Sequence, residues 1–355
     1  LDYYIPLKYS EQLTSLKNKN LDALAEKAPR SDVWMLGQQL NATFKTPSSD
    51  SVLSLDRLRS YLIGVPEFWQ FARTLSSQLG KDDCIFCEGE DLGIPLANIF
   101  GSKPNRPKIA VHIHNSDRPR AKLAMKLFKS AHLIDLFMVH SRAQSDFLEN
   151  YLNLPKSKLC LFQYPVDCNF FKPGLASGNK VRPIIASVGL EMRDYRLLAQ
   201  ATENLDLDVK IAGFSQFRSG LPQNFPKTMP ANMSNQFYDP LELLQLYRDA
   251  DLVAVCLQPS NWSAGVTALL EAMACGRPIV VTRTEGMAEY IQDPDALKVV
   301  EPGDAEGLQQ AIVHLLNHPH EAEAMGQKAH QIANQRYSID RQMEVVANLL
   351  KNKLN

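Results

Sequence analysis

Residues 260–286, SNWSAGVTALLEAMACGRPIVVTRTEG, hold the densest set of residues suited to chemistry. A polar turn with Ser263 and Gly265 runs into a helical pattern that carries one carboxylate, Glu271, before a Gly stop and an apolar strand. Gly265 allows close backbone approach to a ligand, and the amides of Gly265, Val266 and Thr267 would open the helix without intrahelical acceptors. Such an end attracts anions, phosphate above all. Glu271 follows Thr267 by one turn on the same face, where a carboxylate suits vicinal hydroxyls such as those of a ribose. Phosphate beside ribose describes a nucleotide. From the residue types alone, an ordinary strand-turn-helix with a solvated Glu271 fits as well.

A second set lies earlier. KIAVHIHN (108–115) ends a strand with His112 and His114 alternating, so both take one face and His114 sits nearest the sheet edge. Glu88, after the strand CIFC, and Asn115 are candidate acceptor contacts; Glu88 fits equally as a helix N-terminal carboxylate favoured by the dipole. Residues 118–137 place Lys122, Lys126 and Lys129 at helical spacing, with Arg118 and Arg120 before them and Leu123, Leu127 and Phe128 beside them. That face suits a membrane surface or a phosphate-bearing acceptor, and also a solvated helix flank. The strings DLD (206–208) and DPD (293–295) lie in polar turns away from the strand ends that bind ligands, so no metal is expected. Cys84 and Cys87 form a CxxC on a strand, where side chains three apart point to opposite faces; with Cys160, Cys168, Cys256 and Cys275 they read as reduced, buried thiols.

The elements that must position these residues follow a regular alternation. From residue 83, the short apolar runs CIFCEG, KIAVHIHN and LFMVHS alternate with helical patterns, which means βαβ units and a parallel sheet covered on both faces. YPVDCNFFKPGLASGNKVRP follows neither period and reads as a linker. The alternation then restarts with PIIASVG, DVKIAG, DLVAVCL and RPIVVTR, giving a second doubly wound domain. Two long helical stretches close the chain, one of them residues 320–354. The domain expectation is residues 1–172, residues 183–335, and a final helix 336–355 packing back on the first domain. Ligands in such sheets bind beyond the carboxyl ends of the strands, so two facing domains would make a central cleft.

A chain of 355 residues exceeds one core, and 45% apolar with 22% charged residues is a soluble globular composition. With 38 basic against 39 acidic residues, no global field recommends nucleic acid. No apolar run approaches the roughly 20 residues that cross a bilayer, and no signal peptide opens the chain, so the cytoplasm is the expected location. The chain starts at Leu1 rather than Met, which fits a processed or truncated start.

LLEAMACGRPIVVTRTEGMAEYI (269–291) resembles the family 4 glycosyltransferases of the GT-B fold, whose signature has a Glu, a Gly-rich turn, a second Glu, then Ala-Met-Ala-x-Gly-x-Pro and an apolar strand. The resemblance implies two Rossmann-like domains, with Glu271 as the second Glu, which holds the nucleotide ribose. Ser263 stands where the family has its first Glu, the contact to the donor sugar. PIIASVGLEMRDY resembles the diphosphate-contacting turn, with Gly189 and Arg193; VKIAGFSQ resembles the strand and turn near the nucleobase, with Gly213 and Phe214. The resemblance places His114 where the family's strand-end His faces the donor sugar and diphosphate, as a ring donor or through its backbone carbonyl.

The implied activity is transfer of a sugar, with retention, from a nucleoside-diphosphate sugar to a hydroxyl acceptor. No cofactor is implied, and the helix N-terminus and Arg193 would neutralise the leaving diphosphate. Two alternatives stay open on the same residues: a nucleotide-sugar-binding, catalytically weak partner subunit, suggested by Ser263, and a nucleotide-sugar epimerase.

Overall fold

The computed structural model describes residues 1–48, 51–101, 103–114, 118–178, 180–213 and 222–354. The chain divides into two compact units. Unit 1 comprises Leu1–Leu21, Ser31–Gln163 and Met343–Asn355, and unit 2 comprises Asp22–Arg30 and Tyr164–Gln342.

Unit 1 is built on β1 (Asp2–Pro6), β2 (Thr43–Lys45), β3 (Asp83–Cys87), β4 (Lys108–His112), β5 (Leu136–Val139) and β6 (Leu159–Leu161). They form one sheet in the order β2-β1-β3-β4-β5-β6, every pairing parallel. Unit 2 has a second six-stranded sheet of different order, built from β7 (Ile184–Val188), β8 (Asp208–Ala212), β9 (Met233–Asn235), β10 (Leu252–Val255), β11 (Ile279–Thr282) and β12 (Lys298–Val300). Their order is β12-β11-β10-β7-β8-β9, again all parallel.

Interior strands such as β5, LFMV, and β10, LVAV, are apolar throughout because helices cover both faces. Along β7, Ile184 and Ala186 enter one core cluster while Ile185 enters the other. Along β10, Val253 and Val255 join the first cluster, and Leu252 and Ala254 the second. Alternation thus distributes one continuous apolar run between two cores.

Several elements depart from the sequence expectation. β1 and β2 add two strands ahead of residue 83, and β1 lies between β2 and β3 rather than at an edge. The helix expected through residues 118–137 is two helices, Pro119–Leu127 and Ser130–Leu133, because Lys129 takes a left-handed φ of 53°; residues 136 and 137 belong to β5. The closing stretch is likewise interrupted: helix Pro319–Ile332 widens into a π turn at Ala333–Tyr337 before helix Ile339–Leu354.

The unit boundaries also differ from the expected ones. Residues 164–172 belong to unit 2, with Phe170 and Phe171 in its core. Val166 exchanges backbone bonds with Tyr337 and Ile339. Asp167 ties in residues 22–30 by accepting from Arg30 Nη2 at 2.7 Å and from the Arg30 amide at 2.8 Å. Arg30 also pairs with Asp340 at 2.8 Å. The linker character survives only farther on, where Leu175 and Val181 are exposed. Among the described residues, no helix is long and apolar enough to cross a membrane.

Candidate functional site

The second sheet reverses its winding at β7, whose neighbours are β10 and β8. The crevice beyond the carboxyl ends of strands at such a switch point is where open α/β sheets take ligands. Two glycine turns stand there. Gly189 follows β7 with a φ of 108°, and Gly265 follows β10 with a φ of 86°. At Gly265 an added Cβ would lie 2.8 Å from Leu257 Cδ2, so conformation and packing both demand glycine.

Gly265 is the N-cap of helix Val266–Ala274. The Val266 amide turns back to the Ser263 carbonyl at 3.4 Å, a weak bond, so it is less free than the sequence suggests. Among the described residues the amides of Gly265 and Thr267 show no acceptor, and Thr267 is exposed. Ser263 is 6% exposed, and its Oγ is buried without a hydrogen-bond partner. A buried hydroxyl left so is a group that a ligand or water would satisfy.

Glu271 lies deeper on this helix and is half-buried. Its Oε2 accepts from the Tyr247 hydroxyl at 2.8 Å. Burial pushes its carboxyl up to about 7, opposed by the Tyr247 hydrogen bond and the charge of Arg193. Tyr247, fully buried on helix Pro240–Asp249, was not singled out from sequence. Nothing in the spacing links a tyrosine before β10 to a glutamate after it.

Arg193 departs from its expected place at the surface of the turn. It is 5% exposed, and its Nε and Nη1 donate to the Val188 and Glu191 carbonyls at 2.7 and 3.0 Å. The guanidinium fits there because Gly189 has no side chain; a Cβ would collide with it. Arg193 therefore holds the turn from inside. Gly213, just past β8, donates its amide to Asn235 Oδ1 at 3.0 Å. Phe214 and Asn115 lie outside the described residues.

In unit 1 the sheet switches between β1 and β3. Lys8, just after β1, pairs with Asp91 at 2.9 Å. Glu88, just after β3, is half-buried; burial and the nearby Asp32 carboxylate push it up to about 8. The shift favours a shared proton on this pair of carboxyls, which would let one of them donate as well as accept. His114 lies two residues past the end of β4. Its amide donates to Glu90 Oε2 at 3.0 Å, and its carbonyl accepts from Gln144 Nε2 at 2.8 Å. The carbonyl expected at a reacting carbon thus already carries an amide donor.

The His114 ring packs on His112 with centroids 3.9 Å apart, as their shared face requires, and His112 packs on His140 at 4.4 Å. Burial lowers His114 below its ordinary value, against the pull of Glu90, so the imidazole is neutral at pH 7. Burial lowers His112 and His140 further. The first pair of rings is tilted and the second meets edge to face, and among the described residues no group of three or more His, Cys, Asp or Glu is arranged to hold a metal.

Residues 187–318 match the family model for glycosyl transferases group 1. A D-inositol 3-phosphate glycosyltransferase of Segniliparus rotundus is 36% identical over 87 residues; the match covers 24% of this chain and only 19% of that relative. Among solved structures, a sucrose-phosphate synthase from Thermosynechococcus elongatus superposes with a TM-score of 0.73 at 14% identity, covering 99% of both chains. A glycosyltransferase from Rickettsia africae gives 0.71 at 13% identity, covering 100% of this chain and 99% of that one. The Anabaena HepE complex with UDP-glucose gives 0.68 at 14% identity over 99% of both. The stretch that resembles the glycosyl transferases group 1 model, residues 187–318, contains both glycine turns and Glu271, in a chain with the GT-B fold.

Proposed function

We propose that the chain transfers a sugar from a nucleoside-diphosphate sugar to a hydroxyl acceptor with retention. One observation carries the reading: the two positive-φ glycines and the Glu271 carboxylate stand together at the switch point of unit 2. The diphosphate takes the Gly265 and Thr267 amides and the Gly189 turn, where the helix N-terminus offsets the charge that develops on the leaving group. This arrangement needs no metal, so activity should survive EDTA. Glu271, ionised on binding and braced by Tyr247, accepts the ribose hydroxyls. Ser263 Oγ meets the donor, and the Gly213 turn borders the base.

Arg193 acts through the turn that it fills and through its field on Glu271. In unit 1, the role that resemblance gives His114 is that of a neutral donor to sugar or diphosphate. Glu88 is the acceptor contact. The UDP and UDP-glucose bound to the Anabaena neighbour support a nucleotide sugar as donor.

The test is a thermal-shift screen with UDP, GDP and ADP, followed by product analysis with the matching nucleotide sugars. Stabilisation by a nucleotide together with acceptor-dependent transfer is expected. The rival reading, a nucleotide-sugar binder with little activity, is favoured by the burial of Arg193 and by Ser263. It predicts binding without turnover for any donor and acceptor.

A further inference from the structure

Two segments of unit 1 expose large apolar side chains where the site described above has no use for them. The first surrounds the short helix Ser54–Ser60, where Leu58 is 64% and Tyr61 77% exposed, with Leu53 and Leu55 exposed beside them. The second is helix Pro119–Leu127, where Leu127 is 58% exposed and Leu123 one turn earlier is exposed too. Scattered exposed leucines are ordinary, but two such groups on neighbouring elements are not.

The segments meet over one residue. Arg59 lies over the Trp69 ring, 5.2 Å from its centroid, and Phe128 packs against the same ring at 4.9 Å. Trp69 is fully buried, with its Nε1 donating to the Ile63 carbonyl at 3.1 Å, so it anchors both segments from below.

Their charge is one-sided. Residues 118–133 carry Arg118, Arg120, Lys122, Lys126 and Lys129 with no Asp or Glu. Residues 53–65 carry Arg57 and Arg59, and their single acid, Asp56, is 1% exposed and paired with Arg73. Aromatic rings join the basic face, with Lys122 4.8 Å from the Phe147 centroid and Lys126 4.1 Å from that of Tyr151.

We propose that these two segments form a single surface that docks on an anionic lipid bilayer. Exposed Leu and Tyr enter the headgroup boundary while the Lys and Arg ring attracts acidic headgroups. A second copy of this chain is a poor occupant, since the same cations would face each other. A nucleic acid would use the cations but not the leucines.

The test is flotation of the full chain with phosphatidylcholine vesicles containing phosphatidylglycerol, beside vesicles of phosphatidylcholine alone. Binding is expected to the first and not the second, and to fall with salt. Each cation at such a surface multiplies partition about fivefold. Lys126→Glu with Lys129→Glu should therefore abolish it. Leu58→Ser with Tyr61→Ser, and separately Leu123→Ser with Leu127→Ser, should each lower the bound fraction at least about tenfold, since withdrawing even one large apolar side chain fully costs that much. Tyr61→Ser alone serves as the milder variant, and unchanged unfolding midpoints confirm folding. Three results overturn the proposal: no flotation of the wild type, wild-type binding by the Leu58/Tyr61 variants, or loss with charge reversal while both apolar pairs prove neutral.

Discussion

Glu271 gives the sharpest link between the site and the stability of unit 2. Its carboxyl is held near 7 in the folded chain because burial disfavours the ionised form, against 4.5 when unfolded. Below the unfolded value both states are protonated and nothing is lost. As pH rises from there towards 7, the unfolded chain releases its proton first, so stability falls; above 7 the loss levels off. Integrating between pH 5 and pH 8 gives a loss of about 2 to 3 kcal/mol from this one group. Glu271→Gln keeps the shape and removes the titration. Urea unfolding of wild type and Gln variant at both values isolates the effect, because Glu88 and the histidines cancel in the difference. Parallel pH dependence in the two proteins would refute the claim that Glu271 is strained by burial. Hydroxyls brought by a bound ribose would favour the ionised carboxylate that burial alone disfavours.

Other outcomes follow from the same geometry. Glu271→Ala should weaken nucleotide binding by about 2 to 4 kcal/mol, the range of charge-assisted hydrogen bonds to two hydroxyls; calorimetry showing unchanged affinity would remove the ribose assignment. Gly189→Ala forces a side chain onto the Arg193 guanidinium at a φ that suits glycine, and should cost about 2 to 4 kcal/mol of stability while weakening nucleotide binding. Denaturation midpoints equal to wild type would show that the turn yields. Arg73→Ala leaves the Asp56 carboxylate buried without its partner and should cost about 3 kcal/mol; a loss well under 1 kcal/mol in the same assay would mean that water reaches Asp56. His114→Ala should lower turnover much more than nucleotide affinity, and intact turnover would deny the ring a catalytic part.

The sequence by itself determined what is local. Runs such as LFMV and LVAV are apolar at every position, and only strands buried on both faces can use such runs, so the two parallel sheets were legible. The Gly265 turn, the helix that it opens and the position of Glu271 on that helix were legible for the same reason: spacing within one element fixes which groups share a face. The short strands β2, β6, β9 and β12, of three residues each, were not, because three residues carry no readable period. Tertiary structure alone decided the rest. Strand order put β7 beside β10 and so made a crevice of two turns more than 70 residues apart in sequence. It also brought Tyr247 to Glu271, sank Arg193 beneath Gly189, and seated two separate segments on Trp69. Such contacts depend on the closure of long loops and on the shape of neighbouring side chains, and neither leaves a trace in the residues nearby.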